Sequence, residues 1–329
     1  MVYTITLNPA LDYVMYVDRL RYDDINRTSH EAVYYGGKGI NVSVILTRLG
    51  IENKALGLAA GFTGAQLEEM LKNDGISCDF NHLKNGFTRI NVKIKADNEI
   101  DVNANGPYID EEDISKLLEK LDKLKDGDYL VLAGSIPKNL PDDIYERILK
   151  RLSGRGVRFV VDATGDLLKN VLKYKPFLVK PNHHELGDMF GVTTQTDDEI
   201  IEYSKKLQVL GAQNVLVSRA SKGAMLIDAD GKAHKIGNAT GKLVNSVGCG
   251  DSMVGLGILD VSGVHAIHDR GHLSAGDVAL GLEGTVLVAL EHTHAVQDGD
   301  GFFVGVRNLI GILESGVGAD GQRQSHDQS

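Results

Sequence analysis

The stretch that decides the fold runs from residue 129 to residue 161: Tyr129-Leu-Val-Leu-Ala133, then Asp142-Asp-Ile-Tyr-Glu-Arg-Ile-Leu-Lys-Arg-Leu152, then Val157-Arg-Phe-Val-Val161. It reads as strand, helix, strand. The two strands are apolar runs, as expected where both faces of a parallel sheet are covered. The same rhythm extends in both directions. Before it comes a helix from Glu111 to Leu124. After it come strand Phe177–Val179, helices His183–Phe190 and Asp197–Leu210, and strands Val215–Ser218 and Ala224–Ile227. Alternating βα units predict an α/β fold with a mainly parallel central sheet between layers of helices.

Nearer the N-terminus, Val2–Leu7 predicts a strand and Gly39–Leu49 a helix stopped by Gly50; Lys54–Ala59 is a short apolar run, and Ala65–Asn73 a helix closed by Gly75. Arg89–Lys95 behaves differently, placing Ile90, Val92 and Ile94 on one face and Asn91, Lys93 and Lys95 on the other. A strand with one wet face does not belong in a doubly covered sheet. The segments near 14–35 and 89–104 are therefore expected to form a small side sheet, a lid over the site.

Composition narrows the function classes. The 329 residues carry a net charge of −10 and an ordinary apolar content of 42%. This disfavours non-specific nucleic-acid binding and gives no basic face for a membrane. Cys78 and Cys249 offer neither a disulfide framework nor metal-ligand spacing, which suits a reducing cytosol. The first residues read as an alternating strand without a basic leader, and Val278–Leu290 is too short to span a bilayer. A cytoplasmic location is expected.

Several short motifs carry chemistry. In Asn245-Ser-Val-Gly-Cys-Gly-Asp-Ser252, Gly248 and Gly250 let consecutive N–H groups face one point, and a helix starting near Asp251 adds its positive end. That is an anion hole beside a carboxylate placed to take a hydroxyl proton; a glycine turn with an aspartate N-cap is the plain alternative. Gly36-Gly-Lys-Gly-Ile-Asn41 combines close backbone approach with the charge of Lys38 and the amide of Asn41. It lacks the spacing and the Ser/Thr of a P-loop, and it could simply be a turn opening a helix. Asp12 follows the first strand, either as a ligand-facing carboxylate or as an N-cap or turn residue. Arg89 could clamp a phosphate. In Lys180-Pro-Asn-His-His-Glu185, Asn182 and Glu185 face one way and could hold Mg²⁺ through water, or merely cap a helix. His183 and His184, being adjacent, are expected to point apart. Ser218-Arg-Ala-Ser-Lys-Gly223 is either a nucleotide-side turn or only a hairpin.

In this order along an α/β chain, the motifs resemble those of the ribokinase-like carbohydrate kinases, in the 1-phosphofructokinase and tagatose-6-phosphate kinase branch. The carrying residues are Thr4-Ile-Thr-Leu-Asn-Pro-Ala-Leu-Asp12, Gly36–Asn41, Thr88-Arg-Ile-Asn91, Leu132-Ala-Gly-Ser-Ile-Pro137, Lys180–Leu186 and Asn245–Ser252. The resemblance covers residues 1 to about 253. It implies a three-layer sandwich with a β-sheet lid, through which members of the family often dimerise. It implies ATP and Mg²⁺ as cofactors and a small sugar phosphate as partner. Asp251 would be the base, with the amides of Gly248, Cys249 and Gly250 as the anion hole; Cys249 stands where the family usually has alanine. Asp12, Gly36, Gly37, Lys38 and Asn41 would hold the sugar and Arg89 its phosphate. Lys180, Asn182 and Glu185 would organise the metal and ATP phosphates, and Ser218, Arg219, Lys222 and Gly223 would border the nucleotide. Fructose 1-phosphate is the implied acceptor; tagatose 6-phosphate, or a degenerate protein that binds a sugar phosphate without turning it over, are the alternatives.

After Met253 the composition shifts. Lysine is absent from Asn245 onward, and six of eleven histidines fall between His265 and His326. Gly255, Gly257 and Gly263 are expected to break the helix begun at Asp251, since an interior glycine costs about 1 kcal/mol against alanine. The segment 254–329 reads as an atypical Gly/His-rich extension, suggestive of a shifted reading frame, with residues 316–329 a disordered tail.

Overall fold

The computed structural model describes residues 1–237 and 249–262. Among them, thirteen strands form two sheets. The strands are β1 Val2–Thr6, β2 Ala10–Tyr16, β3 His30–Gly36, β4 Asn53–Ala60, β5 Cys78–Leu83, β6 Arg89–Lys95, β7 Glu99–Val102, β8 Tyr129–Ala133, β9 Arg158–Asp162, β10 Leu178–Val179, β11 Asn214–Ser218, β12 Ala224–Ile227 and β13 Ala233–Ile236. The helices are α1 Lys38–Arg48, α2 Gly61–Asn73, α3 Glu111–Leu121, α4 Ile144–Leu152, α5 Gly165–Val171, α6 His183–Phe190, α7 Asp197–Leu210 and α8 Cys249–Ser262.

The large sheet has the order β13-β12-β11-β10-β9-β8-β1-β4-β5. It is parallel except at the β11–β12 and β12–β13 hairpins. One face carries a core built with α3 to α7, in which Ile114, Leu117, Ile148, Leu186 and Leu207 are buried. The other carries α1 and α8 through Val42, Leu46, Met253, Val254 and Ile258, and α2 through Leu67 and Leu71. That is the expected three-layer sandwich. The chain begins at β1, builds outward through β4 and β5, then returns to lay β8 on the opposite side. The order reverses between β1 and β8, and the crevice beyond the carboxyl ends of those strands is where open α/β sheets bind ligands.

The second sheet, in the order β3-β2-β6-β7, is the lid. Its faces invert the usual rule. The polar residues of β6 turn toward the crevice, whereas the apolar side, which includes Ile90, Val92 and Ile94, stays partly open. On that side Val33 is 46% and Val102 57% exposed. Three elements lack a clear signal: β5 is a polar edge strand, α5 is only seven residues long, and β13 is half exposed.

One expectation fails. Helix α8 runs through Gly255 and Gly257 to Ser262. A Cβ at Gly255 would stand 3.3 Å from Ile45 of α1, and one at Gly257 3.0 and 3.1 Å from Leu178 and Leu216 of the sheet. The missing side chains let the helix settle against both neighbours. Burial of Met253, Val254 and Ile258, about 1.5–3 kcal/mol each, offsets the propensity cost. Gly248, the segment from residue 263 onward, the tail 316–329 and the frame-shift reading of that region lie outside the described residues.

Candidate active site

A cavity of about 820 Å³ opens at the reversal point. Its floor comes from the ends of β1, β8 and β9, its walls from the first turns of α1 and α8, and its roof from the lid.

The Gly36–Asn41 motif puts α1 against β1. Gly37 has φ of 132°, a left-handed conformation that favours glycine, and a Cβ there would lie 2.6 Å from the Thr6 methyl. Gly39 sits so close that a Cβ would be 2.6 Å from the Ile5 carbonyl oxygen. Thr6 Oγ1 accepts from the Ile40 N–H at 3.0 Å. This close seating delivers Lys38 and Asn41 into the cavity.

Asp251, in the first turn of α8, is 5% exposed, and its Oδ2 accepts from Asn41 Nδ2 at 2.8 Å. Burial, with Asp162 nearby, pushes its carboxyl up to about 6, against the opposing pull of Asn41, Lys38 and Lys180. Cys249 and Gly250 open the helix.

Asp12 is neither an N-cap nor a turn residue. It lies within β2, paired across the lid with Tyr34 and Asn91, because the chain re-enters a strand only three residues after β1 ends. Its Oδ1 accepts from Asn91 Nδ2 at 2.8 Å, and Lys93 Nζ lies 3.8 Å from its Oδ2. Gly36 leaves room for this carboxylate, since a Cβ would come within 3.1 Å of it. Arg89 lines the cavity while donating through Nε and Nη1 to the carbonyls of Asn8 and Ala104. Burial lowers its pKa from the usual guanidinium range, in spite of Asp12.

The second group of motif residues stands apart from this cavity. Asn182 and Glu185 form a reciprocal capping box at α6: Asn182 Oδ1 accepts from the Glu185 N–H at 2.9 Å, and Glu185 Oε2 from the Asn182 N–H at 2.8 Å. The Ser218–Gly223 segment links antiparallel β11 and β12, so it is a hairpin. Within it Arg219 is 4% exposed and ion-paired through Nη2 with Asp197 at the start of α7. Lys222 donates to the Gln195 carbonyl. His183 and His184 do not point apart. Their ring centroids are 3.9 Å from each other, because side-chain torsions can bring flat rings together where the Cβ atoms diverge. Among the described residues there is no cluster of three or more His, Cys, Asp or Glu able to hold a metal.

Sequence reasoning missed Asp162. It ends β9, is 2% exposed in the side chain, and receives Lys180 Nζ at 3.2 Å on Oδ1 and Lys38 Nζ at 3.4 Å on Oδ2. Burial opposes the Lys38 charge, but Asp162 and Asp251 hold its pKa above the ordinary range. The available signal was a carboxylate at the end of an apolar strand. Asn91 and Lys93 were also passed over as site residues, since they read as the wet face of a strand.

Comparison with known proteins places this geometry. The family model described as "pfkB family carbohydrate kinase" matches residues 5–260, so the match continues past Met253 through most of α8. The chain is 45% identical over 254 residues to a 1-phosphofructokinase of Bacillus subtilis (strain 168), covering 77% of this chain and 83% of that protein. It is 36% identical to a D-tagatose-1-phosphate kinase of Bacillus licheniformis, over 77% and 83% respectively. Among solved structures, phosphofructokinase-2 of Escherichia coli in complex with substrates and products superposes with a TM-score of 0.73 at 27% identity, covering 79% of this chain and 86% of that one.

Proposed function

The chain belongs to the pfkB family of carbohydrate kinases, and on that premise we propose that it phosphorylates fructose 1-phosphate with ATP, giving fructose 1,6-bisphosphate and ADP. The observation that carries this reading is Asp251: a buried carboxylate with a pKa of about 6, in the first turn of a helix, hydrogen-bonded to Asn41 in a cavity roofed by Asp12 and Arg89.

The sugar lies between Asp12, Gly37, Lys38 and Asn41, with its phosphate toward Arg89. Its free primary hydroxyl oxygen attacks the γ-phosphorus of ATP. The new O–P bond forms as the bond from phosphorus to the β–γ bridging oxygen breaks, and the hydroxyl proton passes to Asp251. Charge on the transferred group meets the amides of Cys249 and Gly250 at the head of α8, with Lys180 beside them. Mg²⁺ fits in its hydrated mode: the capping box leaves Glu185 one carboxylate oxygen free, and this ion typically keeps several waters and binds one or two carboxylates plus substrate phosphates. When bound, it neutralises charge between the β- and γ-phosphates, and Asn182 and Glu185 would hold it through water. Ser218, Lys222 and Gly223 would border the nucleotide.

A second acceptor, tagatose 1-phosphate, has the support of the B. licheniformis relative. The degenerate, binding-only alternative loses ground, because a protein that no longer transfers phosphoryl groups gains nothing from a buried, costly Asp251. Among the described residues, no helix is long and apolar enough to cross a membrane. The reaction belongs in the cytosol. A second copy of the chain is the proposed occupant of the lid's open apolar side. Initial rates with fructose 1-phosphate, tagatose 1-phosphate and tagatose 6-phosphate test the assignment. The highest kcat/KM is expected for fructose 1-phosphate, and a preference for either tagatose phosphate overturns it.

A further inference from the structure

The most buried carboxylate of the cavity plays no part in the reaction as written. Asp162 stands at the end of β9, and its two oxygens address two ammoniums from different elements: Lys180, just after β10, and Lys38, at the start of α1. Lys180 is itself only 5% exposed. Its Nζ lies 3.3 Å from the point where a Cβ on Gly250 would sit, directly over the first turn of α8. A flexible lysine stem reaches such a point in many rotamers; an ion pair to a carboxylate fixed on a strand selects one.

We propose that Asp162 is a positioning residue for phosphoryl transfer: it holds Lys180 over the α8 amides and Lys38 beside Asp251, so that two positive charges are in place before charge develops. The inference rests on the kinase reading above. A buried Asp162 without the lysines would be costly, and without Asp162 the buried Lys180 and the half-exposed Lys38 would lose the carboxylate they share, so the three groups act as one unit. The arrangement also shapes Asp251. That carboxylate faces Lys38 and Asn41 from α1, Asp162 from β9 and Lys180 from the end of β10, with Glu185 of α6 acting on Lys38. Asp162 is the negative neighbour in that set, and removing it leaves Asp251 among cations.

The test is a double-mutant cycle on the full chain, with Asp162→Asn, Lys180→Met and the double variant, measured with Mg-ATP and fructose 1-phosphate across pH 4.5–8 (the range is about one and a half to two units either side of the Asp251 value). Asp162→Asn is expected to lose on the order of a hundredfold in kcat, the scale of losing one electrostatic donor at a reacting centre. The KM for the sugar should rise by less than kcat falls, since Asp162 reaches the sugar only through Lys38 while both lysines serve the transfer step. The acidic limb of its pH–rate profile should move to lower pH. The double variant should lose less than the product of the two single losses, because Asp162 acts partly through Lys180 and partly through Lys38. The double variant also removes one of the two stranded cations, so a cooperative melt there keeps the cycle readable if Asp162→Asn folds poorly. Losses that multiply, or an acidic limb that stays put, overturn the proposal. An active wild type with an unchanged Asp162→Asn variant overturns this inference alone. A wild-type chain without sugar-dependent turnover overturns the kinase reading, and this inference with it.

Discussion

Asp251 concentrates the chemistry and its cost in one side chain. As general base it must be ionised, so kcat/KM should fall as pH drops below about 6. Asp251→Ala should lose about 10²–10⁴-fold in kcat while the sugar phosphate still binds, which steady-state kinetics and calorimetry would separate. Stability runs the other way. Folding raises this carboxyl from 3.8 to about 6, so the folded state holds the proton more tightly. The favourable contribution is complete below the unfolded value and is lost as pH rises through the folded one. Above that window the charged form costs on the order of 3 kcal/mol, from about two pKa units. Asp251→Asn should therefore melt higher than wild type at pH 7.5 and lose that advantage near pH 4, while being inactive. An equal shift at both pH values would contradict this.

The same scale shows what the sequence made legible. Gly37, Lys38, Asn41, Arg89 and Asp251 could be named because glycine spacing and charge in a short window mark a cavity wall, and they do converge. Asp162 was harder to see, since a carboxylate at a strand end is a weak signal alone and only the sheet order brings it together with Lys38 and Lys180. Asn91 is a related case. Its bond to Asp12 joins two lid strands, and Asn91→Ala should raise the KM for the sugar phosphate about tenfold, near the lower end of the roughly 1.5–3 kcal/mol of a hydrogen bond to a charged group. An unchanged KM would remove Asp12 from the sugar site.

Among the elements, strands β8 and β12 match their apolar patterns to the residue because every residue in them is buried, and helices α6 and α7 do so because capping boxes at Asn182 and Thr196 and the glycines Gly191 and Gly211 mark their ends. The failures have physical causes. Strand β5 is a polar edge, and α8 carries glycines that a local propensity scale counts against it. Those glycines answer to packing partners from α1 and the sheet, which no local window contains. The same contact logic makes Gly39→Ala a sharp test. Its Cβ would meet the Ile5 carbonyl at 2.6 Å, and backbone cannot swing away as a flexible side chain can. A loss of about 1–3 kcal/mol in chemical denaturation is expected, together with a raised KM as α1 lifts from β1. Stability equal to wild type would mean that the α1–β1 seating is not fixed.

At the scale of the molecule, the fold explains why one crevice collects Asp251 together with Asp12, Lys38, Asn41 and Arg89. The reversal between β1 and β8 opens the site, two helix N-termini point into it, and the lid turns its polar face down onto it. The lid's other face, with Tyr13, Val33, Val92 and Val102 in cross-strand register, is the surface proposed for a second copy. Sedimentation of wild type as a dimer and of Val92→Asp as a monomer is the expected pair of results; a monomeric wild type would contradict it.

The central claim is that this cavity transfers a phosphoryl group onto fructose 1-phosphate with Asp251 as base. The most direct test is ADP release by the purified chain with Mg-ATP, with and without fructose 1-phosphate, for wild type and Asp251→Ala side by side. The account predicts sugar-dependent ADP release from wild type that the substitution cuts by about a hundredfold or more. A folded wild-type chain that binds the sugar phosphate and releases no ADP, or a variant that keeps the wild-type rate, would contradict it.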